Sequence, residues 1–407
     1  MRLVRLGALI SVLMLGSACS ATISGQATPR ATPVDIATLN TGAIVTEPTD
    51  YELRFASFHA QRIRLIEGRR LLNILVHPID FLPSVTKSSY TKIFADVDEM
   101  TGTGGLSPEF KDVVSANDLV VGVSATRTNG SIRNLESMFV GILEFGTVAN
   151  AEAAAAAMYS IGVTRSDPRQ PVMIPNYPGA HGSATNSNVN AFQSHGRFVI
   201  ITAIQEEPRI DQNATTEKIK AALDKQIAAL DTFQAIASDD LLDLPVDQDG
   251  MVRRTMDKSP AGDPYGMGFH NEDFGIFLPS GILHYERNAL DTRKAFDKAG
   301  VDLIGRRYST VYRTRDVEAA FALQTALARR GKDDTALDPP PGIADAQCVR
   351  LAEPDKNRNY NGFCVLVYDR YVAVVMSLTS QLSSTQLADP ILQQRAAAQY
   401  VILTKSE

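Results

Sequence analysis

The chain has no excess of positive charge: 40 Lys and Arg residues face 46 Asp and Glu, a net charge of −6. That balance excludes a protein that grips nucleic acid on a basic face. Cysteine is scarce, with three in 407 residues, at positions 19, 348 and 364. None belongs to a Cys-x-x-Cys pair and no histidine cluster accompanies them, which argues against a zinc site. The six histidines (His59, His77, His181, His195, His270 and His284) include no pair four residues apart, as a helical metal site would require. Past the N-terminus, no apolar run approaches the roughly 20 residues of a membrane-spanning helix. No Gly-x-Ser-x-Gly nucleophile elbow occurs. What is there, 44% hydrophobic and 21% charged residues with 27 Gly and 20 Pro, is the profile of an ordered globular chain. Its length suits two or three domains.

The first residues carry the clearest message. Arg2 and Arg5 precede an apolar run, Leu6–Leu15, followed by Gly16-Ser17-Ala18-Cys19. A basic start, a short apolar stretch and small residues before a cut form an export signal, residues 1–18. Cys19-Ser20-Ala21-Thr22-Ile23-Ser24-Gly25-Gln26-Ala27 resembles the mature start of mycobacterial and nocardial lipoproteins, although Gly16 stands where their signal has Leu, with Leu15 one place further back. The resemblance implies a thiol-linked diacylglyceryl group on Cys19, which as a double chain would anchor stably. It also implies a location on the outer face of the plasma membrane, with the membrane as partner through that lipid. Loss of Arg2 and Arg5 leaves 38 basic against 46 acidic residues, so the body should stand off anionic headgroups. Residues 19–48, rich in Ser, Thr, Gly, Ala and Pro, read as a flexible tether.

Beyond the tether the same pattern occurs twice. Met138–Phe145 reads as a buried strand, followed by an Ala-rich helix around Ala149–Tyr159. Tyr308–Tyr312 reads as a strand before a helix capped by Asp316 and running to about Arg330, with Gly331 as its stop. In this register Ala151-Glu152-Ala153-Ala154 falls opposite Val317-Glu318-Ala319-Ala320. Each helix leads through a loop to a hairpin, one turning at His195-Gly196 and the other near Asp369, so that Arg197-Phe198-Val199 matches Arg370-Tyr371-Val372. Each half ends on a helix: Ile219, Leu223, Ile227 and Leu230 mark one, residues 391–403 the other. The fold class is therefore α+β: two similar tandem units, residues 49–244 and 245–407, each a mixed or antiparallel sheet with helices packed on one face. This plan resembles a family of actinobacterial lipoproteins classed only as a domain of unknown function. The matching pieces are Leu71–Pro78, Val246–Met251, Leu283–Tyr285 and Gly300–Asp302. The resemblance supplies a location and an architecture and no reaction.

With Cys19 committed to lipid, Cys348 and Cys364 form an even pair in an exported chain and are expected to be disulfide-bonded, two free buried thiols being the alternative. The catalytic candidates are weak. Ser84-Val85-Thr86-Lys87 and Ser89-Tyr90-Thr91-Lys92 carry a Ser-x-x-Lys pattern, but the Lys-Thr-Gly and Ser-Asp-Asn elements of a penicillin-binding site are missing. Asp247-Gln248-Asp249-Gly250 lacks ligands at the ends of a calcium loop and reads as a turn between the units. Thr101-Gly102-Thr103-Gly104-Gly105 lacks the Lys-Ser/Thr ending of a phosphate loop. His77 is the most interesting histidine, because Asp80 could orient it; His284 sits similarly in the second unit. No catalytic, cofactor or metal residue is assigned. The expectation is a non-enzymatic lipoprotein that binds a lipid, a small molecule or an envelope protein. An envelope hydrolase with a dispersed site, or a structural lipoprotein, are the alternatives.

Overall fold

The computed structural model describes residues 31–51, 63–164, 169–236, 238–257, 273–355, 358, 360–377 and 386–406. The expected export signal, Cys19, His59 and His270 lie outside them. In the first unit, α1 (Arg64–Ile74) precedes β1 (Lys87–Phe94), α2 (Val97–Thr101), α3 (Lys111–Ala116), β2 (Leu119–Thr128) and β3 (Glu136–Phe145). Then come α4 (Val148–Val163), β4 (Gln170–Ile174), β5 (Tyr177–Ala184), β6 (Asn188–His195), β7 (Phe198–Glu206) and α5 (Gln212–Asp231). The second unit contains β8 (Gly275–Phe277), α6 (Pro279–Ile282), α7 (Ala289–Ala299), β9 (Leu303–Arg306), β10 (Thr310–Arg313) and α8 (Val317–Leu327). It ends with β11 (Thr335–Leu337), β12 (Gln347–Asp355), β13 (Tyr360–Tyr368), β14 (Tyr371–Ser377) and α9 (Pro390–Lys405).

The two sheets have one topology. The first runs β1-β2-β3-β7-β6-β5-β4 and the second, in the same sense, β8-β9-β10-β14-β13-β12-β11. Neighbouring strands pair antiparallel throughout. One hydrogen bond fixes their equivalence: the Phe145 amide donates to the Arg197 carbonyl, and the Thr314 amide to the Arg370 carbonyl, each at 2.9 Å. The two matching hairpins expected from sequence are thus in register.

The loop between helix and hairpin holds two further strands in each unit, β4–β5 and β11–β12. In the first unit Pro171, Pro175 and Pro178 disguise them, since proline is tolerated at a sheet edge but removes the strand signature. The helix register moves by three residues: Thr147 caps the Asn150 amide and Asp316 the Ala319 amide, which sets Ala151 opposite Ala320. A three-residue step is almost one helical turn, so the apolar face matched in either register. Helix α8 stops at Leu327, before Gly331. Helices cover both faces of each sheet, not one. Met138, Val140 and Ile142 face the side of α1 and α5, whereas Leu143, Phe145, Val199 and Ile201 pack with α2, α3 and α4.

Within the expected tether, residues 31–48 do not hang free. They lie along the second unit, where Val34, Leu39 and Ile44 pack against its α9-side core. The Thr32 amide and hydroxyl both donate to Asp345, at 2.6 and 2.9 Å. Lys405 pairs with Glu47, and Arg307 donates to Thr49. Three apolar side chains along a Ser/Thr/Pro-rich stretch show no strand or helix period, which is why the segment reads as a tether. Packed against that core it is a strap.

Cys348 and Cys364 stand opposite each other on β12 and β13 and are disulfide-bonded, with Cα atoms 4.0 Å apart. Closing a loop of that length stabilises the second unit by about 3 kcal/mol in the chain-entropy view.

Candidate functional site

Among the described residues, a cavity lies where the two units meet. Its first wall begins with α1, whose Leu65, Leu71 and Leu72 are buried. The residue before a proline is pushed out of helical geometry, and His77, preceding Pro78, is extended at φ −90°, ψ 129°. A single 3-10 turn, Pro78–Asp80, follows, and the His77 Nδ1 accepts its Ile79 amide at 3.3 Å. The backbone between helix and turn is satisfied from α5. Gln226, fully buried, accepts the Val76 amide at 2.9 Å and donates to the Ile74 carbonyl at 3.2 Å.

The second unit supplies the other wall. The Leu278 amide donates to the Asn73 Oδ1 at 3.0 Å, and the Ser280 hydroxyl to the Asn73 carbonyl at 2.6 Å. His284 Nε2 donates to the Leu75 carbonyl at 3.1 Å, while the Thr91 hydroxyl donates to the His284 carbonyl at 3.0 Å. Below, the buried Arg127 spans the units. It donates to the carbonyls of Val85 (3.2 Å) and Thr86 on its own side, and to Glu286 and Arg287 (both 3.1 Å) on the other. One continuous cluster of buried apolar side chains, from Leu71 and Ile142 to Phe296 and Val374, runs beneath these contacts.

Between the walls is a cleft of about 620 Å³. Ile74, Leu75, Val76, Leu278, Leu283 and Phe296 give it apolar surface, and Asp80, Lys225, Arg293 and Asp297 its charge. The Asp80 carboxylate bridges the two cations, Lys225 at 2.7 Å and Arg293 at 2.6 Å. Burial raises its pKa, but the hydrogen bonds and fields of Lys225 and Arg293 outweigh this and hold it below the ordinary aspartate value.

Under the cleft His77 and His284 stack, ring centroids 4.8 Å apart and planes 18° from parallel. They are not equivalent positions of a repeat, since His77 precedes β1 and His284 follows β8; they meet across the junction. Burial is the main cause that lowers both pKa values. His284 falls to about 4, and His77 is lowered further by His284, Arg127 and Arg293. Both rings are therefore neutral at physiological pH. With Nδ1 accepting, His77 carries its proton on Nε2, on the side of the Leu283 backbone, whereas the unprotonated Nδ1 of His284 has no partner among the described residues. Asp80 spends itself on Lys225 and Arg293 and does not orient His77, so the expected His–Asp pair is not formed.

The other motifs fall elsewhere. Ser89 and Lys92 lie along the extended β1, where three residues do not stack as on a helix. Lys92 donates to the Glu99 carbonyl, and Lys87 is exposed near Glu353. Asp247 accepts the Val252 and Arg253 amides at 2.6 and 2.8 Å, spending both oxygens on a turn, and Asp249 pairs with Arg313. Residues 101–105 close α2 as a turn. His195 pairs with Asp231 at 2.7 Å on the surface, and the His181 ring lies 5.4 Å from that of Tyr159. Among the described residues no three His, Cys, Asp or Glu side chains gather as for a metal ion, and no helix is long and apolar enough to cross a membrane. Sequence reasoning missed Lys225, Arg293 and Arg127, which carry no local pattern. It did single out Leu71–Pro78 and Leu283–Tyr285, the two segments that face each other at the junction.

Comparison with known proteins gives a family and no activity. No curated protein matches the chain. Among solved structures it is similar to the extracellular domain of PknH from Mycobacterium tuberculosis, at 10% identity and a TM-score of 0.25, over 39% of this chain and 96% of that one. A score that low fixes neither fold nor function. Residues 54–246 match the N-terminal domain, and residues 251–406 the C-terminal domain, of a family described as a domain of unknown function, DUF7373. Its two tandem α+β units, with matches along most of their length, make the chain a member of the DUF7373 family.

Proposed function

We propose that this is an exported lipoprotein, anchored through Cys19 at the outer face of the plasma membrane, which binds a ligand without transforming it in the cleft between its units. The observation that carries the reading is the cleft itself. Its volume falls in the range of small-molecule sites, and its walls combine apolar side chains with a few convergent charged groups. The groups a hydrolase would need are engaged otherwise: the Ser280 hydroxyl donates to a carbonyl, and His77 accepts a backbone amide. The strap supports an orientation as well. It leads the N-terminus along the second unit, so an anchor at Cys19 would hold that unit nearer the membrane.

Native mass spectrometry of the protein extracted from its own envelope tests the reading, with Ala229→Trp as a variant that fills the cleft. The expected result is a discrete adduct, separable from the Cys19 lipid and absent from the variant. An adduct equally abundant in both would place binding elsewhere, and none in either would overturn ligand binding. Cys19→Ser should release the protein from the membrane fraction; continued retention would contradict the anchor.

A further inference from the structure

We infer that the cleft takes an amphipathic ligand with an anionic head, a carboxylate or phosphate, bound by Lys225 and Arg293, its apolar part lying along Leu278, Leu283 and Phe296. This rests on the cleft being a binding site and names the class of ligand it selects.

The geometry at Asp80 carries the inference. One carboxylate holds two cations, each through a single contact: Lys225 Nζ to Oδ2 and Arg293 Nη1 to Oδ1. An ammonium has three donors and a guanidinium five, so most remain open, and the cluster keeps one positive charge in excess. The two cations come from different units, α5 and α7, and Asp80 fixes both before any ligand arrives. Pre-organisation of this kind lowers the entropy cost of binding. Asp297 also lines the cleft, one turn beyond Arg293. It is exposed, as the Lys225 side chain is at 58%, so solvent and salt screen both, and the selection rests on the open donors held by Asp80 rather than on net charge. His77, neutral on the floor, adds none. The second half of the argument is Leu278, which is 45% exposed and lies in the cleft mouth. A large apolar side chain left open beside two donor-rich cations matches a molecule with a charged end and an apolar body.

An envelope lipid and a water-soluble anionic metabolite share this chemistry, and organic extraction of the native adduct tells them apart. Selectivity is measured by titration calorimetry on the full chain carrying Cys19→Ser, so that no acyl group competes. The probes, all below micelle-forming concentrations, are octyl phosphate, octanoate, inorganic phosphate, octyltrimethylammonium and 1-octanol. The two amphipathic anions should bind at least about tenfold tighter than the ammonium, the alcohol and inorganic phosphate, since a hydrogen bond to a charged group supplies that much. Lys225→Gln and Arg293→Gln should each remove about tenfold from the anions alone. Arg293→Lys, which keeps the charge and the tie to Asp80, should preserve the preference, and thermal melts confirm that each variant folds. Equal binding of all the octyl probes would overturn the anionic head and leave the cleft reading intact. Inorganic phosphate binding as tightly as octyl phosphate would overturn the apolar part. If no probe binds while the native adduct persists, the ligand class is wrong. If both are missing, the binding reading itself falls.

Discussion

The two units share a strand order and differ in what each does with its faces. In the first, the α4 side is closed over by the unit's own α2 and α3, and the α5 side joins the common core. In the second, the α8 side, equivalent to that of α4, joins the common core, and the α9 side is covered by the strap. The equivalent pair Leu143 and Tyr312 shows the exchange: one is in the first unit's private cluster, the other in the shared one. The copies are thus joined head to tail, not about a two-fold axis, and unlike surfaces meet at the junction. A cleft formed between unlike surfaces can combine a lysine from one with an arginine from the other around a single aspartate. The cross-links differ too. Cys348 and Cys364 in β12 and β13 correspond to Gly182 and Ala191 in β5 and β6, as the pairings through Val375 and Thr202 show. At Gly182 a Cβ atom would sit 2.5 Å from the Val172 carbonyl oxygen, so the first unit has no room for the same bond.

The largest effect should come from what the units share. Arg127→Met removes donors from four carbonyls on both sides of the junction and should cost about 3–5 kcal/mol. Denaturant unfolding of this variant should show both units weakened together; loss confined to one would break the comparison. Next comes what only the second unit has. Replacing Cys348 and Cys364 by Ala should cost about 3 kcal/mol. Hydrogen exchange should then quicken first in β12 and β13, and faster exchange in β5 and β6 instead would contradict the assignment.

Acid sharpens the role of the histidine stack. His284 is neutral when folded, with its pKa depressed to about 4 from an ordinary 6.5. Above pH 6.5 it contributes no slope. As pH falls from 6.5 to 4 the unfolded chain takes up a proton that the folded one refuses, and stability drops by about 1.4 kcal/mol per pH unit from this group. His77 adds a like slope, so His284→Phe should keep the stack and roughly halve the histidine part of that limb in denaturant melts taken at pH 7 and 5; an unchanged limb would mean the loss originates elsewhere.

A smaller cost, about 1–3 kcal/mol, is expected for Gly275→Ala at the β8 edge. There φ is +135°, and the new methyl would meet the Arg69 Nε at 2.6 Å. A melting temperature equal to wild type would refute that close approach. Least of all, Glu47→Gln in the strap should change stability by less than about 1 kcal/mol, because its pair with Lys405 is largely in water.

The sequence made the hairpins and the duplication legible because β-branched runs broken by His195-Gly196 and Asp369 carry their own local signal. The disulfide was expected from the even pair left once Cys19 was assigned to lipid in a chain read as exported. The four strands β4, β5, β11 and β12 were hidden because prolines or short length erased their pattern. The strap was hidden because Val34, Leu39 and Ile44 acquire meaning only against α9. The cleft lay deeper still. Lys225 and Arg293 read as ordinary charges on helix surfaces until the fold sets both beside Asp80, and His77 and His284 read as parallel copies until the junction stacks them.

A single shared core fixes the two units, and therefore the cleft, as one body. Scanning calorimetry of the full chain tests this most directly. The expected result is one transition in which calorimetric and van't Hoff enthalpies agree, shifting as a whole in Arg127→Met. Two separable transitions, with Arg127→Met moving only one of them, would mean that the units fold independently and that the cleft is no fixed site.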